Sequence, residues 1–237
     1  MLHEDELIYT TSKITAEYTN DIGENMESSA TGIFYKTTKS NGEDMFFIIS
    51  NRHFFKNRNL FKFSIPVISD NVEYVINFKI KTTPNISENY DIGAIYINDA
   101  IKTISDQYYI KNKFIENDDL LKISSCSIGI LEEAITIGYP FGIFSDNSTL
   151  PLIRKGIIST PLYLKYDNKE EFLVDIFCFK GTSGSPIFLN KNNNYYLIGI
   201  EYCSLESGGI NIGLGKCVNS NAIKEYLQEL SLCFNCT

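Results

Sequence analysis

Short strand-like runs recur along almost the whole chain, and only two stretches carry a helical pattern. In the first half the β-type runs fall at 14–18, 31–37, 45–50, 60–68, 72–82 and 92–97, with turn residues between them at Asn41-Gly42, Ser69-Asp70-Asn71 and Pro84-Asn85. A second series follows at 134–139, 153–160, 172–179, 186–189, 195–203 and 212–218. Brief runs of Val, Ile, Phe and Tyr punctuated by Gly, Asn, Asp and Pro build sandwiches or barrels. The helical stretches are 98–108, with Ala100, Ile101 and Ile104 on one face, and 222–232, with Ile223, Tyr226, Leu227 and Leu230 on one face. Asn219, Ser220 and Asn221 ahead of the second favour a helix N-cap. A charged connector, 110–127, separates the series. The expected organisation is an acidic, loosely held arm at 1–13, a first β-lobe at 14–112, and a second β-lobe with its closing helix at 113–237.

Bulk properties narrow the function classes. The formal net charge of −8 disfavours a nucleic-acid backbone or an anionic membrane as main partner. No stretch approaches the ~20 apolar residues of a membrane span. Residues 1–25 carry seven charged side chains and no long apolar run, so no signal peptide is read and a cytoplasmic setting is expected. In that setting the six cysteines, at 126, 178, 203, 217, 233 and 236, are expected as thiols. Cys178, Cys203 and Cys217 read as small core residues. Cys233-x-x-Cys236 has metal or redox spacing but no second pair, and its default is a fraying tail.

Chemistry concentrates at Lys180-Gly181-Thr182-Ser183-Gly184-Ser185-Pro186, between two apolar runs. A tight glycine-bounded loop can leave Ser183 Oγ at a cleft with backbone N–H groups aimed at one point, the arrangement acyl transfer needs. The same residues also make an ordinary turn between strands. A serine nucleophile needs a base, and the chain offers two histidines. His3 lies in the acidic arm; His53 follows the apolar run Phe46-Phe47-Ile48-Ile49-Ser50. Imidazole in turn needs a carboxylate, and Asp91 opens the run Asp91-Ile92-Gly93-Ala94-Ile95.

In the order His, Asp, Ser these segments resemble the trypsin-like (chymotrypsin-fold) serine peptidases, in particular the bacterial branch with the HtrA-type and glutamyl endopeptidases. Ser50-Asn51-Arg52-His53-Phe54-Phe55 is similar to T-N-x-H-V-V, and Asp91-Ile92-Gly93-Ala94-Ile95 to D-[IL]-A-[VL]-[IL], with Gly93 in the alanine place. Gly181-Thr182-Ser183-Gly184-Ser185-Pro186 is similar to G-[DN]-S-G-[GS]-P. Gly138-Tyr139-Pro140, Arg154-Lys155-Gly156-Ile157-Ile158-Ser159 and Leu197-Ile198-Gly199-Ile200 resemble further segments of the second barrel. The resemblance covers roughly residues 14 to 232.

It implies an all-β fold of two six-stranded antiparallel β-barrels with a C-terminal helix, and a serine endopeptidase that needs no cofactor or metal. By similarity, Ser183 is the nucleophile, His53 the base and Asp91 its orienting acid; the N–H groups of Gly181 and Ser183 form the oxyanion hole. Phe177 and Cys178 fall at the base of the pocket for the residue preceding the scissile bond (P1), and Glu201, Tyr202 and Cys203 on the edge that pairs with substrate. With no Asp at the pocket base and no spare His, a small or apolar P1 residue is expected, unless Glu201 favours a basic one. Thr182 stands where trypsin has Asp, so activation by a newly cut N-terminus is not expected. HtrA-type relatives usually carry PDZ domains, for which this chain has no room; a narrow partner set follows, a protein or peptide substrate such as one co-expressed protein. An esterase is disfavoured because Ser185 replaces the last glycine of G-x-S-x-G, and a phosphate loop at 209–216 lacks its first glycine. A trypsin-fold binding module with little activity is the remaining alternative.

Overall fold

A computed structural model describes residues 2–19, 22–123, 128–144 and 149–235. The first lobe contains β1 (Thr11–Thr19), β2 (Asn25–Thr38), β3 (Asp44–Ser50), the single turn α1 (Arg52–Phe55), β4 (Leu60–Ser69), β5 (Val72–Lys81), β6 (Asn85–Ile86), β7 (Gly93–Tyr96), α2 (Asn98–Ser105) and β8 (Tyr109–Ile110). The second contains β9 (Glu133–Gly138), β10 (Leu152–Ile158), β11 (Glu171–Asp175), β12 (Pro186–Lys191), β13 (Asn194–Ser207), β14 (Ile210–Asn219) and α3 (Ser220–Asn235).

Period-two burial builds the sheets. In β4, Phe61, Phe63, Ile65 and Val67 face a core shared with Ile14, Phe34, Ile48 and Ile95, while the residues between them are partly exposed. Asp70 and Asn71 both take positive φ, and Ser69 pairs with Val72, which makes the β4–β5 connection a two-residue hairpin. Asn192 and Asn193 repeat this device between β12 and β13.

The second lobe is a closed six-stranded barrel in the order β10-β11-β14-β13-β12-β9. The first is not the second six-stranded barrel expected. It is an open eight-stranded sheet in the order β5-β4-β1-β2-β3-β7-β6, with β8 added on β4. Closure would require the segment after β5 to extend the ladder around the lobe. Instead Thr82 donates to the Asn59 carbonyl (2.9 Å), Pro84 supplies no donor, and β6 gives only two rungs to β7.

An apolar seam joins the lobes. Ile33, Tyr35, Phe47 and Ile49 from the first meet Ile135, Ile137, Phe188 and Leu197 from the second, and Ile223, Tyr226, Leu227 and Leu230 of α3 cover them. Asn219 Oδ1 caps α3 by accepting the N–H groups of Asn221 and Ala222 (3.1 Å each). The N-terminal arm is not loosely held. Leu2 and Leu7 are buried in the same seam, Leu2 O accepts the Tyr195 N–H (3.0 Å), and Glu6 pairs with Lys113 (2.9 Å). Its acidic residues stay outward, which is why charge alone made it look unanchored.

Among the cysteines, Cys217 is buried as expected, Cys178 is half-buried and Cys203 is exposed rather than core. Cys233 is an exposed thiol, and Cys126 and Cys236 lie outside the described residues. Among the described residues no helix is long and apolar enough to cross a membrane.

Candidate active site

β3 ends at Ser50, and the chain turns through Asn51 into α1, which carries His53. β7 pairs antiparallel with β3, Ser50 opposite Gly93, so Asp91 at the approach to β7 lies beside that turn. A Cβ on Gly93 would stand 2.8 Å from the Phe55 ring, which accounts for glycine in the usual alanine place.

Asp91 grips His53 twice. Its Oδ1 accepts the His53 backbone N–H (2.9 Å), and its Oδ2 lies 2.6 Å from the ring Nδ1. A carboxylate at that distance makes Nδ1 the protonated nitrogen of the neutral ring and leaves Nε2 as a lone-pair acceptor. Asn51 Nδ2 donates to the Asp91 carbonyl (3.1 Å), so main chain and side chain of the acid are both fixed. The His53 side chain is 51% exposed and that of Asp91 18%. The imidazole thus reaches the cleft while its partner is largely sheltered.

The Ser183 loop comes from the other lobe and is pinned to the same corner. Thr31 N–H donates to the Ser183 carbonyl (2.8 Å), and Thr31 Oγ1 to the Gly181 carbonyl (3.1 Å). Ser50 Oγ donates to the Thr31 carbonyl (2.7 Å). Gly184 has φ +88°, and a Cβ there would stand 2.1 Å from the Thr31 carbonyl oxygen and 2.2 Å from Ser50 Oγ. The Ser183 loop therefore packs directly on the residue three before His53, a contact only glycine permits.

The Lys180 carbonyl accepts the Phe141 N–H (2.6 Å). Carbonyl and N–H of one peptide plane point in opposite directions, so the Gly181 N–H faces away from Phe141. Among the described residues no protein acceptor takes the N–H of Gly181 or Ser183.

The side chains expected around substrate are placed unevenly. Phe177 is 53% exposed at the surface rather than at a pocket base, in an aromatic row with Phe179 (centroids 5.9 Å) and then Phe141 (5.2 Å). Cys178 Sγ lies 3.5 Å from the Cys203 carbonyl and so spans the gap between the two segments expected to flank a substrate side chain. Burial pushes the Cys178 thiol pKa up, with the Glu201 charge adding to it. Tyr202 donates to Glu171 (2.9 Å) and lines a cleft together with His53 and Asp91. Glu201 is 1% exposed and does not line an open cleft. Past Ile200, β12 no longer pairs with β13, while β14 continues on the far side. One main-chain edge of Tyr202, Cys203 and Ser204 is thereby left unladdered.

Sequence reasoning did not single out Thr31, which joins the two lobes through its N–H to Ser183 and its hydroxyl to Gly181; a threonine within a strand-like run gives no local sign of such a contact.

A closed antiparallel barrel and a second β-lobe meeting at a seam, with a His-Asp pair on one side and a serine loop on the other, define the chymotrypsin fold. No sequence-family model and no curated protein sequence matches the chain. Among solved structures it is similar to the HtrA-type protease AlgW. A variant of that protein with a tripeptide superposes with a TM-score of 0.60 at 14% identity over 96% of this chain and 62% of the other. AlgW with a decapeptide gives 0.58 at 13% identity, over 98% and 66%. The chain thus spans less than two thirds of the length of these structures.

Proposed function

We propose that the protein is a serine endopeptidase. The observation that carries this reading is the doubly held His53–Asp91 pair beside a loop whose serine is anchored through Thr31 and Ser50 to the strand end that launches His53. In the proposed reaction Ser183 Oγ attacks the scissile carbonyl and His53 Nε2 takes its proton. The oxyanion forms against the N–H groups of Gly181 and Ser183, where each donor is worth about 10²–10³ in kcat. The imidazolium, stabilised by Asp91, then protonates the leaving amine, and water repeats the sequence on the acyl-enzyme.

The substrate is an extended peptide. AlgW has been solved with a tripeptide and a decapeptide, and the edge at 202–204, which β12 does not cover and where, among the described residues, the Cys203 carbonyl takes only the Cys178 thiol, is of the kind an added strand uses. Cys178, reaching across to Cys203, narrows the place of the P1 side chain, which favours a small residue there. The test is reaction of the protein with a fluorophosphonate probe and hydrolysis of a peptide library. Labelling lost in Ser183→Ala, with the fold retained, supports the reading; a folded wild type inert to both assays refutes it.

A second reading, a binding module on the same fold, draws on the same Cys178 bridge, which occupies the place where a substrate side chain would enter. Peptide affinity without hydrolysis distinguishes it.

A further inference from the structure

Glu201 is a buried acid that the proposed reaction does not use. It stands on β13 directly beneath the nucleophile loop and touches it at three points. Its carbonyl accepts the Gly184 N–H (2.8 Å), its N–H donates to the Ser185 carbonyl (2.9 Å), and its Oε1 is hydrogen-bonded to the Thr182 hydroxyl. The charged or titratable groups facing it are the Arg154 guanidinium from β10 (3.7 Å from Oε2), the Cys178 thiol from the loop, and the Cys217 thiol from β14. Arg154 also donates to the Phe177 carbonyl at the start of that loop, while Glu201 Oε2 has no hydrogen-bond partner.

The Thr182 hydroxyl is oversubscribed. It accepts the Phe179 N–H (3.2 Å), and two acceptors compete for its single proton: Glu201 Oε1 and the Phe179 carbonyl (2.9 Å). An ionised Glu201 takes the proton, because a bond to a carboxylate is stronger than one to a neutral carbonyl. A protonated Glu201 becomes the donor to Thr182 Oγ1, and the Thr182 proton swings to Phe179. The proton count closes in both states, but the loop at 179–183 is bonded differently in each. Burial holds the Glu201 carboxyl up at about 7, opposed by Thr182, Cys178 and Arg154.

We propose that Glu201 is a positioning residue for the nucleophile loop: its ionised carboxylate fixes Thr182, and through it the Gly181 and Ser183 amides, in the form that carries the reaction, and protonation releases them. The consequence for activity rests on the peptidase reading; the consequence for the loop does not.

Two measurements test it. In the first, amide NMR signals of 179–183 are followed from pH 5 to 9. Coherent movement through one ionisation in wild type, absent in Glu201→Gln and in Thr182→Val but kept in Thr182→Ser, is expected; signals that ignore Glu201 overturn the proposal. In the second, peptide hydrolysis is followed over the same range. Glu201→Gln lowers kcat about ten- to a hundredfold with KM nearly unchanged, the size of a small misplacement of reacting groups. It also removes from the acid side of the log kcat/KM profile the step through which wild type falls to the level of the variant. An active variant with wild-type kcat and the same acid-side step overturns the proposal. A wild type with titrating loop amides and no hydrolysis leaves the positioning intact and removes the peptidase reading instead.

Discussion

Glu201→Gln should make the protein more stable at alkaline pH, and the size of the effect follows from burial. In the folded chain the carboxyl titrates at about 7, against an ordinary value of 4.5, with desolvation as the largest cause. Between those two values the folded state binds more protons than the unfolded one, so stability falls as pH rises through that window and levels off above it. The neutral form is favoured inside the protein; its contribution is fully present below about pH 4.5 and lost by about pH 8. At about 1.4 kcal/mol per pH unit the loss is about 3 kcal/mol. Glutamine, neutral throughout, does not incur it. Leaving Arg154 without its partner offsets part of the gain, but the guanidinium side chain keeps 21% exposure and contact with water. Thermal unfolding of both forms at pH 5 and pH 8 is the assay. At about 2–4 °C per kcal/mol for a chain of this size, the variant should melt several degrees above wild type at pH 8 and close to it at pH 5. A difference in Tm that is the same at both values, or a variant weaker at pH 8 than at pH 5, refutes the reasoning.

Asp91→Asn should preserve the fold, shown by an unchanged circular dichroism spectrum, and lower kcat by up to about 10⁴-fold, since the amide favours the wrong tautomer of His53. Gly184→Ala should destabilise by about 2–3 kcal/mol in urea titration, because a Cβ cannot share space with the Thr31 carbonyl and Ser50 Oγ. Leu7→Ala should cost about 2–5 kcal/mol by the same measurement, the range for a fully buried leucine, although the residue lies in a short acidic turn at the surface of the sequence pattern.

What the sequence made legible depended on how each feature is encoded. Strands with period-two burial, such as β4, and the capped helix α3 were readable because their signals are local. His53 and Asp91 were readable because the chain has so few histidines and because each stands at the end of an apolar run. The unclosed first lobe was not, because closure depends on which edge the segment after β5 meets, and Thr82-Thr83-Pro84 reads as an ordinary turn whichever way it goes. Glu201 and Cys203 sat inside one strand-like run, and alternation there did not separate buried from exposed: a β-bulge between Glu201 and Cys203 breaks the register. The contact between Thr182 and Glu201, with Arg154 facing the same carboxyl, needed three segments separated in sequence to be seen together.

The open sheet leaves the first lobe with a margin that the barrel lacks. Along its outer strand, β5, the peptide groups on the side away from β4 are available to any extended chain that arrives. The side chains there include Glu73, Lys79 and Lys81, all exposed, with Lys79 held by Glu17 and Glu73 by Lys111. Self-association through that margin would strip water from these ion pairs. A lobe that cannot hide its border by closing on itself therefore guards it with charge, and neutralising these three positions should promote edge-to-edge association.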